Sequence, residues 1–198
     1  MASLVKAKEN LEARGYAVQL FPDKESAAEY LNGAIDGTTV GFGGSMTLDQ
    51  MGLFPALGRH NTVFWHWKQN PADARASAAN AAVYLSSVNA LAETGEIINI
   101  DGAGNRVAST LYGHQKVYLV ISRNKLAEDY ESALWRARNI AAPKNAQRLN
   151  RKTPCAVKAD RCYDCKSPER ICCGLVVLWR PMMGQDMEII LVDEDLGC

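Results

Sequence analysis

The chain has 198 residues, with 22 Lys+Arg against 22 Asp+Glu and a formal net charge of zero. That length suits a single domain over 1–198 with a substantial core and leaves a second one cramped, and the balanced charge supplies no global field for nucleic acid or acidic membrane, so small molecules or proteins are the expected partners. No uninterrupted apolar stretch opens the sequence and no run of about 18 apolar residues suits a membrane span, which predicts a cytoplasmic protein whose thiols stay reduced.

Leu4, Val5, Ala7, Lys8 and Leu11 recur at helical spacing and predict a first helix over 3–14, stopped by Gly15. A strand over 16–21 follows, and Asp23 then caps a helix whose apolar face carries Ala28, Leu31 and Ile35. The alternation continues with a strand at 38–42, a helix near 48–54, a strand at 62–65 and an alanine-rich helix begun by Pro71. AVYLSSV (82–88) and KVYLVIS (116–122) are nearly continuous apolar runs, as expected of strands buried on both faces of a parallel sheet. Between them, EIINI, the turn DGAGN and RVAS read as a hairpin, because Asp-Gly and Gly-Asn supply positive-φ residues between two extended runs. LAEDYESALWRARNIAA predicts a long helix ended by Pro143. The core is expected to be complete near residue 150, with GLVVLW and MEIILV beyond it forming a closing hairpin. Such βαβα order predicts a three-layer α/β/α, Rossmann-like domain.

GFGGSMT (41–47) lies at the carboxyl end of a predicted strand and opens a helix. In open α/β sheets ligands gather at that edge, where glycines admit an anion to the backbone and free helix N–H groups receive it. Gly43, Gly44, Ser45 and Thr47 are therefore candidate ligand contacts, the alternative being a tight turn with Ser45 as N-cap. The loop lacks the third glycine of G-x-G-x-x-G, since Met46 stands there. In the segment 89–107, Glu93 precedes Thr94-Gly95 and is a candidate nucleophile or general base facing the same crevice, against a plain capping or solvated role. Asn89, Asp101 and Asn105 are further candidate ligand contacts, although Asp and Asn also serve as turn formers. His60, His66 and His114 make no metal-binding pair, and Trp65 and Trp67 share one face at strand spacing.

Five of the six cysteines read C-x6-C-x2-C-x6-C-C over 155–173. Cys162 and Cys165 form a chelating C-x2-C bite that Cys155 and Cys172 would complete to four thiolates, for zinc or an iron–sulfur cluster. The outer spacing matches neither the zinc-finger pairs nor the bacterial ferredoxin run, so free structural or redox thiols stand beside the metal reading.

Taken in order, GFGGSMT, SSVNALAETGEIINIDGAGNRV, ALWRARNIAAPKNAQRLNRKTPC and CYDCKSPERICC resemble the LUD family of bacterial lactate-utilisation proteins of the LutC/YkgG type, over about residues 10–196. The resemblance implies a fold like that of ribose-5-phosphate isomerases, glucosamine-phosphate isomerases and coenzyme A transferases (the NagB/RpiA/CoA-transferase-like type). It also implies a part in oxidising lactate to pyruvate, and separately encoded iron–sulfur partner proteins. Relatives of that fold bind sugar phosphates, coenzyme A esters or folates at strand ends. Coenzyme A transferases among them use a Glu near a Gly after a central strand, to which Glu93 in AETG is similar. The alternatives are a transferase- or isomerase-like enzyme acting on a thioester or phosphorylated substrate, and a non-catalytic assembly or regulatory subunit whose cysteines hold a metal. The tail is an accessory in the family, so no cofactor is required by the sequence.

Overall fold

The computed structural model describes residues 2–198. In chain order its elements begin with α1 (Leu4–Ala13), β1 (Ala17–Phe21), α2 (Lys24–Ala34), β2 (Thr39–Phe42), α3 (Met46–Gln50), α4 (Leu53–Leu57), β3 (Thr62–Phe64), α5 (Pro71–Ala79) and β4 (Val83–Ser87). They continue with β5 (Ala90–Ala92), β6 (Ile97–Asp101), α6 (Asn105–Leu111), β7 (Lys116–Ser122), β8 (Leu126–Ala127), α7 (Tyr130–Arg136), α8 (Ala142–Arg148), α9 (Pro154–Lys158), β9 (Gly174–Leu178) and β10 (Asp186–Val192).

Strand alternation sets the three layers. Val117, Leu119 and Ile121 of β7 turn to one face and pack with Ala7 and Leu11 of α1 and Ala78 of α5. Tyr118 and Val120 turn to the other, where Leu31, Leu48 and Leu57 bring in α2, α3 and α4. The main sheet runs β1-β10-β7-β4-β2-β3, all parallel. A smaller sheet, β8-β5-β6-β9, adjoins it and is covered by Ala133 and Ala137 packed on Ala90, Ala92 and Ile98. This is the expected α/β/α, Rossmann-like arrangement. Among the described residues no helix is long and apolar enough to cross a membrane.

Four local expectations are corrected. RVAS is helical, because Gly104 takes φ 81° and donates its N–H to Asp101 Oδ1 at 3.0 Å, starting α6. The hairpin instead joins β5 to β6. The helix near 48–54 is two short ones, separated at Gly52 with φ 65°. Pro143 does not end the long helix: a π-turn over Ala137–Ala141 absorbs the missing N–H, and Pro143 sits in the first turn of α8. No closing hairpin forms, and the core is not complete near residue 150. Strand β10 lies between β1 and β7, buried on both faces, while β9 pairs antiparallel with β6 in the other sheet.

Candidate functional site

The carboxyl ends of β2, β4 and β7 open onto one side of the main sheet, and there a cavity of about 610 Å³ lies. Strand β2 delivers Gly44 and Ser45 to its wall, β4 delivers Ser87 and Asn89, and the turn after β7 delivers Lys125. The glycines are needed for close approach. A Cβ on Gly43 would lie 2.7 Å from Ser86 Oγ, and one on Gly44 would lie 3.1 Å from the Trp67 indole. Ser45 is the N-cap of α3, its Oγ accepting the Leu48 N–H at 3.2 Å, while it also faces the cavity.

Five arginines, Arg75, Arg106, Arg148, Arg151 and Arg170, share the wall with Lys125. Asp101 is the one acidic side chain among the described lining residues. Its charge is already matched: Arg106 Nε donates to Asp101 Oδ2 at 3.1 Å, and Arg106 Nη2 donates to the Ile100 carbonyl at 2.7 Å and to Asn89 Oδ1 at 3.1 Å. Asn89 Oδ1 also accepts the Ile100 N–H at 2.7 Å. Arg136, buried behind this network, donates to the Asn89 and Asn124 carbonyls at 2.5 and 2.8 Å and ties the end of β4 to the turn holding Lys125.

Lys125 is only 3 % exposed. Its Nζ donates to Thr47 Oγ1 at 2.6 Å and to Ser87 Oγ at 2.7 Å. Burial, opposed by nearby Cys198 and reinforced by Arg136 and Arg106, pulls its pKa down to about 7. Near neutrality the amine is therefore divided between a proton donor and a proton acceptor. His66, also on the wall, is held below the ordinary histidine pKa by burial first and by Arg75 second. The opposite wall is aromatic: Trp67 stacks on the fully buried Trp65 with centroids 5.5 Å apart, and the Arg148 guanidinium lies 4.5 Å from the Trp67 ring. The C-terminal residues close one end. The Gly197 N–H donates to Gln50 Oε1 at 2.7 Å, and a Cβ on Gly197 would lie 2.6 Å from Thr47 Oγ1.

Of the residues singled out from sequence, Gly44, Ser45, Asn89, Asp101 and Asn105 meet on this wall. Gly43 and Thr47 stand just behind it, against Ser86 and Lys125. Glu93 does not face the crevice. After Asn89 the chain leaves the main sheet for β5, and the β5–β6 turn reaches α1. There the Glu93 carboxylate accepts the Ser3 backbone N–H, and its carbonyl accepts from Asn10 Nδ2 at 2.7 Å. Glu93 caps a helix N-terminus, which favours an anion for its own reasons. Sequence reasoning missed Lys125 and the arginines. Lys125 was within reach of the same edge rule that picked out the glycine loop, because it follows a buried strand by three residues.

Cys155, Cys162, Cys165, Cys172 and Cys173 line a second cavity of about 270 Å³. It shares Ile100, Ala142, Arg170, Ile171 and Cys173 with the first. Among the described residues, no three His, Cys, Asp or Glu side chains converge closely enough to hold a single metal ion.

A search of curated proteins gives no match. Among solved structures the chain is similar to a DUF162 family protein from Deinococcus radiodurans, at 12 % identity and a TM-score of 0.54, covering 96 % of this chain and 95 % of that one. That likeness is one of fold. A ribose 5 phosphate isomerase A from Neisseria gonorrhoeae is also similar, at 15 % identity and a TM-score of 0.35, covering 53 % of each chain. The family model of the LUD domain matches residues 4–192, nearly the whole sequence, and the chain accordingly belongs to the LUD domain family, which is associated with lactate utilisation.

Proposed function

We propose that this protein is the anion-binding component of an iron–sulfur-dependent system that oxidises lactate to pyruvate, with the anion seated in the 610 Å³ cavity. The observation that carries the reading is the charge of that cavity. Five arginines and Lys125 face a space whose one acidic lining side chain among the described residues is paired with Arg106. Beyond the Arg106–Asp101 pair and Cys198, which opposes the lowering of the Lys125 pKa, the cations on this wall outnumber the negative groups facing them, and that excess favours an anion.

Converting lactate to pyruvate breaks one C–H and one O–H bond and releases two protons and two electrons. An arginine of the wall would hold the carboxylate by paired N–H donors. Lys125, protonated as the anion arrives, would answer the carboxylate's charge, and the His66 imidazole on the same wall, held neutral by burial with its Nδ1 unpartnered, would accept the hydroxyl proton. The C–H proton would leave to solvent through the open cavity, and the two electrons would pass to an iron–sulfur centre or to iron–sulfur partner proteins.

A second reading is favoured by the cavity's size and by its number of cations. Both exceed what one small monocarboxylate fills, and both suit a coenzyme A ester or a sugar phosphate, as in a transferase or isomerase. Titration calorimetry with lactate, pyruvate, coenzyme A and ribose 5-phosphate separates the two. Saturable lactate or pyruvate binding that Arg148→Ala and Lys125→Met abolish supports the first reading. Tight binding confined to the phosphorylated compounds replaces it with the second, and heat from none of the four overturns both.

A further inference from the structure

Five cysteines line the second cavity beside the anion site, and donors are directed at the sulfurs of three of them. We infer that Cys155, Cys162, Cys165 and Cys172 ligate a polynuclear iron–sulfur cluster in the 270 Å³ cavity, directly beside the anion site.

Sulfur chemistry supplies the first argument. Asp164 donates its N–H to Cys162 Sγ at 3.4 Å, and Arg138 Nη2 approaches the same sulfur at 4.0 Å. Arg170 Nη2 donates to Cys172 Sγ at 3.3 Å, and the Thr153 hydroxyl lies 3.3 Å from Cys155 Sγ. Hydrogen bonds to ligating sulfurs orient them and are a main lever on cluster potentials. Cys173 differs: no side-chain donor is directed at its Sγ, which lies 3.8 Å from the Arg170 carbonyl, and it is exposed. Cys198 lines the other cavity. These contacts mark Cys155, Cys162 and Cys172, and Cys165 joins them as the other cysteine of the C-x2-C loop, lining the same cavity with its carbonyl held by Arg170 Nη1 at 2.9 Å.

The arrangement of the four selects the occupant. Tetrahedral zinc requires four sulfurs within about 2.3 Å of one point. Here the four cysteines lie around a space of about 270 Å³, and among the described residues no trio converges on a point. A group that itself carries several metal atoms and bridging sulfides reaches ligands spread in this way, whereas a lone ion does not.

The backbone agrees. Between α9 and β9 the chain has no helix or strand, and Ala159 and Asp164 take positive φ values of 56° and 46°. Such a segment has little apolar core of its own to hold it, and ligation to a metal centre is a usual substitute. The N–H that Asp164 turns toward Cys162 is a consequence of that left-handed residue inside the C-x2-C loop.

Arg170 joins the two sites, touching Cys172 Sγ with Nη2 while lining the anion cavity. A cluster there would lie one side chain from the anion, in position to take its electrons; that link to lactate rests on the function proposed above, while the cluster itself does not.

The test is anaerobic purification of the full chain and reconstitution with ferrous iron and sulfide. Iron and acid-labile sulfide in equal amounts, with a visible absorption bleached by dithionite, are expected. In the loaded protein, alkylation followed by peptide mass spectrometry should spare Cys155, Cys162, Cys165 and Cys172 and label Cys173 and Cys198. Serine at any of the four should lose the iron, and Cys173→Ser should keep it. Zinc alone, no metal after reconstitution, or alkylation of all six thiols in the loaded protein would overturn the inference. The alkylation pattern does not depend on a variant folding. Lys125→Met should keep the iron while losing the anion, so failure of the cluster and failure of the anion reading are distinguishable.

Discussion

Binding of an anion beside Lys125 should draw a proton from solution. The free protein holds Nζ at a pKa of about 7, chiefly through burial. An anion seated about 4 Å away at an effective dielectric of about 20 contributes about 4 kcal/mol of attraction. Divided by 1.36 kcal/mol per unit, that raises the lysine to about 10 in the complex. At pH 8.5 the amine is then roughly 3 % protonated when free and roughly 97 % protonated when bound, so association takes up about 0.9 proton. Below about pH 7 both states are protonated and affinity is flat; between about 7 and 10 the affinity for lactate should fall close to tenfold per pH unit. Lactate is the suitable probe because its carboxylate does not titrate in that range. Calorimetry at pH 8.5 in two buffers of different ionisation enthalpy reads the proton directly. Buffer-independent heat in the wild-type protein would refute the reasoning, as would a proton uptake that survives in Lys125→Met.

The same lysine sets a stability profile. An amine whose pKa is lower in the folded than in the unfolded chain makes unfolding take up protons above pH 7. Wild-type stability should therefore rise from about pH 7 toward 10 by up to about 1.4 kcal/mol per unit, and Lys125→Met should flatten that rise in urea titrations. Arg106→Met takes the guanidinium from the Asp101 carboxylate, leaving it the Gly104 N–H, and from the Ile100 carbonyl, and should cost about 3 kcal/mol, with a double-mutant cycle against Asp101→Asn returning about 1–3 kcal/mol of coupling; additive losses would show that the pair is not coupled. Glu93→Ala should lower stability by about 1 kcal/mol through the lost cap on α1, with anion binding unchanged; loss of binding would return Glu93 to the site.

Strands buried on both faces were legible because their signal is local. β4 and β7 appear in the sequence as unbroken apolar runs, and such runs report a central parallel strand wherever they occur. β10 carries the same signal, yet its neighbours are not local. Its partners β1 and β7 lie far up the chain, and nothing in MEIILV says that it will insert between them and not fold back on GLVVLW. The other misreadings were decisions between two meanings of one residue. Gly104 opens a helix where a positive-φ glycine also fits a hairpin. Pro143 is accommodated by a π-turn where a proline more often marks an end.

The site divides along the same line. Gly44, Ser45, Asn89 and Asp101 were visible because each lies at or just beyond a strand's end, and strand ends share one rim in a parallel sheet. Glu93 satisfied the same rule by position and failed it by direction, since β5 leaves the main sheet at Asn89 and carries the next turn to α1. The arginines had no such marker. Arg75 and Arg148 lie on different helices and Arg170 in a coil, and each alone is indistinguishable from a solvated charge. What makes them a site is convergence with Lys125, whose burial removes the water that would otherwise answer its charge. A lysine without that water, with Arg136 and Arg106 nearby, holds its proton only partly near neutrality, and an anion bound beside it would restore the rest. Ligand and proton would therefore enter together, and removing Nζ should uncouple them.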